Sequence, residues 1–167
     1  WLIEDDYDSE YRYGRHPAPS LHSLDTADRV IYVGTMSKVL FPSLRIGYVV
    51  LPPSLVDRFA ALRVVVDDHG PLVDQATLAG FIESGAFYSH IRRSRRHYAE
   101  RQAAFCAYAA KAGLPLDFAH VDGGMNLLGR LPPNTDDVRL ARGLSDAGFD
   151  VPPVSAYSIR PQPAGLV

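Results

Sequence analysis

Two short stretches hold the residues whose types and spacing can do chemistry. The first runs Gly34-Thr35-Met36-Ser37-Lys38-Val39-Leu40-Phe41-Pro42-Ser43-Leu44-Arg45-Ile46-Gly47-Tyr48. One lysine follows an apolar run, hydroxyls flank it at Thr35 and Ser37, and Arg45 lies seven residues on. Hydroxyls, an ammonium and a guanidinium in one loop can bind a phosphate. The same set suits a Schiff-base lysine beside a phosphate site, because a neighbouring cation lowers a lysine pKa and frees the amine as a nucleophile. The second stretch is Glu4-Asp5-Asp6-Tyr7-Asp8-Ser9-Glu10. Carboxylates crowded together repel one another unless a cation neutralises them, and a metal or a protonated heterocycle would do so.

Both stretches need strands to hold them. Trp1–Glu4 is an apolar run ending in acids and predicts a buried strand that feeds a polar loop over residues 5–20. Val30-Ile31-Tyr32-Val33, bounded by Gly34, predicts a buried strand of the parallel-sheet kind. Arg45–Leu51 predicts a third strand, stopped by Pro52-Pro53. Ligands of open α/β sheets bind beyond the carboxyl ends of such strands, where Asp5 and Lys38 both fall. Helices follow. Ser54 reads as the N-cap of one carrying Leu55, Phe59 and Leu62 on a face, and Leu72–Glu83 forms a second with Leu78, Phe81 and Ile82. The longest is expected over Ala86–Lys111, with Phe87, Ile91, Tyr98, Phe105 and Ala109 at helical spacing and Gly113 ending it. Phe118–Leu128 then reads as strand, Gly123-Gly124 turn and strand. Asp136–Ala147 reads as a helix, and Phe149-Asp150-Val151 as the start of a strand-like tail.

Composition bounds the answer. The 167 residues suit about one domain with a smaller lobe; 47% hydrophobic and 22% charged residues exclude a disordered or collagen-like chain. No apolar run reaches the roughly 18 residues of a bilayer span. Seventeen basic against nineteen acidic residues give −2, which argues against a nucleic-acid binder by overall charge. The single cysteine, Cys106, excludes a disulfide framework within one chain and makes a reducing cytoplasm the expected compartment. A chain opening Trp1-Leu2-Ile3, with no basic leader, reads as an internal piece of a longer protein rather than as a signal peptide.

Pyridoxal 5'-phosphate is the cofactor that asks for these parts together: a Schiff-base lysine, an acid on the pyridinium nitrogen and a phosphate cup. Asp5-Asp6-Tyr7, then Ser37-Lys38, then Arg45 resemble the fold-type I aminotransferases in kind and spacing. The stretches "IEDDYDSEYRY", "GTMSKVLFPSLRIGYVVLP", "HIRRSRRHYAERQ" and "PPVSAYSI" resemble, more narrowly, the aminotransferase-like domain of MocR regulators, a GntR subgroup. The resemblance covers nearly the whole chain. It implies a three-layer α/β/α architecture, with residues 1–112 the C-terminal part of a cofactor-binding large domain and 113–167 the start of a small α+β lobe. It implies that Lys38 carries the cofactor, that Asp5 pairs with the pyridine nitrogen, that Tyr7 hydrogen-bonds the phenolic oxygen, and that Thr35, Ser37 and Arg45 hold the phosphate. It also implies a homodimer that senses a small amino compound and reaches DNA only through a winged helix lying outside this sequence. The rival with the same residues is a class I/II aminotransferase passing an amino group between an amino acid and a 2-oxo acid. A third reading is a dimerisation remnant without cofactor.

The remaining polar residues read more plainly. Asp6, Asp8 and Glu10 are expected as solvated loop acids or partners of a basic neighbour, Tyr11 and Tyr13 as packing aromatics. Arg92–His97 reads as a solvated basic face of the long helix rather than a DNA contact. The six histidines (16, 22, 69, 90, 97, 120) show no metal spacing, Cys106 reads as a small buried hydrophobe, Gly123-Gly124 as a turn, and Arg160 has no assigned role.

Overall fold

The apolar start of the chain forms strand β1, Leu2–Asp6, and the β-branched segment after Arg29 forms β2, Val30–Thr35. They pair in parallel, with Asp5 opposite Val33 and Asp6 opposite Gly34. Strand β3, Gly47–Val50, lies on the other side of β2 and runs antiparallel to it, so the sheet is mixed and ordered β1-β2-β3. The computed structural model describes residues 1–13, 19–118, 123–160 and 162–167. These divide into two compact units, Trp1–Arg95 and Arg96–Val167.

In the first unit a short helix, α1 (Leu21–Leu24), follows the loop after β1. Helices α2 (Pro53–Asp67) and α3 (Leu72–Glu83) come after β3. Helix α2 starts one residue before the expected cap: Pro53 takes the first helical position, where its fixed φ and missing N–H cost nothing, and Ser54 falls inside the helix. Helix α4 spans Ala86–Lys111, the predicted bounds, and Gly113, at φ 64°, supplies the left-handed residue that ends it. The division between the two units falls inside this helix.

The strand burial expected from apolar content holds for Val30 but not for β1. Trp1, Leu2 and Ile3 are 60, 56 and 72% exposed, and no residue of β1 is buried. An apolar strand is buried only where a layer covers it, and the described residues bring none over those side chains. The third strand is also shorter than expected, because Arg45 and Ile46 belong to the loop before it.

In the second unit three two-residue strands, β4 (Asp117–Phe118), β5 (Gly129–Arg130) and β6 (Gly165–Leu166), make an antiparallel sheet in that order. Residues 119–122 lie outside the described residues, so the hairpin expected across 118–128 is seen only at its ends. Helix α5 covers Asp137–Asp146, capped by Asp136, whose carboxylate accepts the Arg139 N–H at 2.9 Å. The strand expected at 149–151 does not form. The Phe149 N–H is spent on the Leu144 carbonyl at the end of α5, at 2.9 Å, and Leu166 pairs with Gly129 and bridges Pro153. Cys106 is half-buried rather than enclosed.

Candidate functional site

The sheet register gathers the chemically capable residues at one end. Asp5 is the penultimate residue of β1 and Thr35 the last of β2, so both sit at the carboxyl ends of parallel strands. β3 runs the other way, so its first residue, Gly47, pairs with Thr35. The Met36 N–H donates to the Ile46 carbonyl at 2.9 Å, extending that pairing by one step. Arg45 therefore enters the same strand end as Thr35 and Ser37, although it lies ten residues after Thr35. Between the two arms the chain turns tightly. The Ser37 N–H donates to Thr35 Oγ1 at 3.2 Å and the Leu40 N–H to the Met36 carbonyl at 2.9 Å, which puts Lys38 in the middle of a single helical-type turn. Its side chain is exposed, as are those of Asp5, Tyr7 and Arg45.

Arg45 adopts φ 52°, ψ 33°, the left-handed region, at the end of a 3₁₀ turn over Pro42–Leu44. A residue with a Cβ is strained there by roughly 1 kcal/mol. That cost is borne where the 3₁₀ turn hands the chain on to Ile46, whose carbonyl accepts the Met36 N–H, and to the start of β3.

The other face of β1 carries a different set. Asp6 lies opposite Gly34, which lies opposite Tyr48. Its carboxylate accepts the Tyr32 hydroxyl at 2.7 Å and the Ser9 N–H at 3.1 Å. Burial pushes the Asp6 carboxyl up, but hydrogen bonds from Ser9 and Tyr32 and the nearby Arg12 charge outweigh it and hold it below the ordinary range. Tyr32 is correspondingly pushed well above the usual phenol by burial, by Asp6 and by Tyr48. Asp6 is thus a structural acid, not a solvated one. Gly34 is required beneath this pair, since a Cβ there would lie 2.3 Å from the Tyr48 ring. Glu4 is likewise committed: its two oxygens accept the N–H groups of Leu21 and His22 at 2.8 and 2.9 Å and seat α1. Glu10 is raised by burial, with the Asp6 and Asp8 charges adding to it against its own backbone hydrogen bond and Arg95.

This sorting leaves Asp5 as the carboxylate at the end of β1 that neither seats a helix nor ties a loop among the described contacts. Sequence reasoning singled out Asp5, Tyr7, Thr35, Ser37, Lys38 and Arg45 as candidates and missed the structural duties of Glu4 and Asp6. The even spacing of Glu4 and Asp6, which puts both on one face of the strand, was the available signal. The donor set suits pyridoxal phosphate chemically: an acid for a protonated ring nitrogen, an amine for its carbonyl carbon, and hydroxyls with a guanidinium for its phosphate.

No family model matches the chain. Among curated proteins it is 44% identical over 156 residues to the probable rhizopine catabolism regulatory protein MocR of Rhizobium meliloti, covering 93% of this chain and 32% of that protein. It is 36% identical to the HTH-type transcriptional regulator TauR of Rhodobacter capsulatus, covering 91% of this chain and 31% of TauR. The chain thus spans about a third of the length of the curated relatives it matches. Among solved structures, the kynurenine aminotransferase of Pyrococcus horikoshii superposes with a TM-score of 0.84 at 26% identity, covering 98% of this chain and 41% of that one. LysN, an α-aminoadipate aminotransferase of Thermus thermophilus solved with a phosphopyridoxyl-leucine, gives 0.84 at 25%, covering 98% and 43%. The fold is that of the fold-type I pyridoxal-phosphate aminotransferases, and the chain fits the aminotransferase-like domain of a MocR regulator.

Proposed function

We propose that this segment binds pyridoxal 5'-phosphate and works as the effector-sensing and dimerisation module of a GntR/MocR-type transcriptional regulator. The observation that supports the reading is the sheet register, which sets Asp5 and Thr35 at the carboxyl ends of β1 and β2 and pairs Thr35 with Gly47, two residues after Arg45. The relatives' names as regulators support the biological half.

Each residue has a task in this reading. Lys38 tethers the cofactor through its amine. Asp5 holds a proton on the ring nitrogen by its negative charge, and Tyr7 donates its hydroxyl to the phenolic oxygen. Thr35, Ser37 and Arg45 neutralise and orient the phosphate, Arg45 by charge-assisted hydrogen bonds. The bound cofactor supplies an electron sink for an amino compound's α-carbon. Lys38 would be the residue that ties its loop to the bound cofactor, and an amino compound competing for that place would bias the domain toward a second arrangement. Residues 1–112 belong in this reading to a large domain and 113–167 to a small lobe. The protein is a cytoplasmic homodimer that meets DNA through a winged helix elsewhere in the full chain. No helix among the described residues is long and apolar enough to cross a membrane.

The test is covalent trapping. Full-length protein mixed with pyridoxal phosphate and reduced with borohydride should carry the pyridoxyl group on the peptide containing Lys38, and Lys38→Ala should lose it. An unlabelled Lys38 peptide would sink the reading. The likeness to solved aminotransferases keeps one alternative open, a class I/II aminotransferase. Steady turnover of an amino acid with a 2-oxo acid would favour it, since Lys38 would then shuttle the proton as general acid–base.

A further inference from the structure

Two side chains far apart in sequence converge on the backbone that carries Lys38. The Tyr11 hydroxyl donates to the Val39 carbonyl at 3.2 Å and lies 3.5 Å from that of Lys38. His90, one turn into α4, reaches the same Val39 carbonyl, with Nε2 at 2.8 Å. A carbonyl only accepts, so Nε2 carries the proton there. The junction is closed to water: Tyr11 is 2% exposed and Val39 1%. Arg95, further along α4, donates from Nε to the Glu10 carbonyl and fastens the residue just before Tyr11 to the same helix. The Lys38 turn, the loop after β1 and the first turns of α4 thus meet at one buried carbonyl, while the lysine side chain itself points into the open.

We propose that Tyr11 and His90 are positioning residues that fix the backbone of Lys38, so that its amine meets the cofactor at one geometry. The inference rests on the reading of Lys38 as the tethering lysine. A long, rotamer-rich side chain can be aimed only from a rigid base, and two donors on one carbonyl remove the freedom of the turn that a single bond would leave. The geometry also couples the sites: Tyr11 lies on the segment that leaves β1 just after Asp5 and carries Tyr7, so displacing it shifts the tether and the ring contacts together.

The experiment uses the full-length protein loaded with pyridoxal phosphate and three variants, Tyr11→Phe, His90→Leu and His90→Gln. Three quantities are read: cofactor affinity, the pH midpoint of the bound cofactor's visible band, and the rate of borohydride fixation on Lys38. Tyr11→Phe and His90→Leu should each weaken binding roughly fivefold, the factor that one hydrogen bond of ordinary net strength represents, and should move the pH midpoint. His90→Gln places an amide donor near the position of Nε2 and should keep the wild-type midpoint. Wild-type midpoints and fixation rates in both Tyr11→Phe and His90→Leu would overturn the inference, even with lowered melting temperatures, since a purely structural role moves only the latter. If His90→Leu does not fold, Tyr11→Phe against His90→Gln decides on the same midpoint. Failure of the wild type to label at Lys38 would instead remove the reading of the site itself.

Discussion

Arg45 carries a conformational cost that its neighbours do not, and a mutation can separate that cost from its charge. Arg45→Gly relieves the left-handed strain and should stabilise the protein by up to about 1 kcal/mol, while pyridoxal phosphate affinity falls because the phosphate loses its guanidinium. Chemical denaturation and cofactor titration on the same variant check both signs; a destabilised Arg45→Gly would mean that the side chain is held by contacts worth more than the strain. At Asp6 the argument runs through pH. Its folded pKa lies below the ordinary carboxyl value, so the carboxylate stabilises the fold above that value, about pH 4, and the contribution is lost as pH falls through the lower folded pKa. Tyr32→Phe removes one of the donors responsible. It should cost about 1 kcal/mol at neutral pH, raise the Asp6 pKa measured by NMR, and cost progressively less in acid. A pH-independent loss would place the effect in ring packing instead.

Each sheet has one element-level weak point. In the first, Gly34 is small because the Tyr48 ring lies over it, and that ring in turn meets Tyr32. Gly34→Ala should cost about 1–2 kcal/mol by driving the ring aside, and clearly less in a Tyr48→Ala background. Equal losses in both backgrounds would show that the ring yields freely. In the second unit the weak point is Asp137, 4% exposed at the start of α5. Its carboxylate accepts the Ser155 hydroxyl at 2.7 Å, the Ser155 N–H at 3.1 Å and the Gly165 N–H at 3.3 Å, joining helix, 3₁₀ turn and β6. Burial pushes this carboxyl up, yet the donors from Ser155 and Gly165 pull it below its usual value. Asp137→Ala strands those donors and should destabilise the second unit by about 2–3 kcal/mol. Helix α4 was legible because its apolar residues keep step and Gly113 ends it. Strands β4 to β6 were not, since two residues hold no period. The roles of Tyr11 and His90 also escaped, because they bond carbonyls 28 and 51 residues away and leave no local pattern.

At the scale of the whole molecule, the apolar residues that predicted a core are in part its surface. Phe59 and Leu62 keep the helical spacing read from the sequence, yet both are exposed, and the second half of α2 with the first turn of α3 presents Val64, Val65, Val66, Leu72 and Val73 to solvent. Periodicity reports which residues share a face; it does not say whether anything covers that face. A run of this kind exceeds the scattered exposed hydrophobes normal for a monomer and favours association. The 167-residue chain on its own should therefore elute above its 18.4 kDa mass and bind a hydrophobic dye. Val65, 83% exposed near the end of α2, and Val73, 79% exposed at the start of α3, are the points to test. Val65→Lys with Val73→Glu places each charge at the helix end whose dipole favours it, so neither helix is weakened. The pair should lower the apparent mass and the dye signal while the far-ultraviolet circular dichroism stays unchanged. A wild-type chain that already runs as a dye-negative monomer would mean that these valines fold back on the chain in solution.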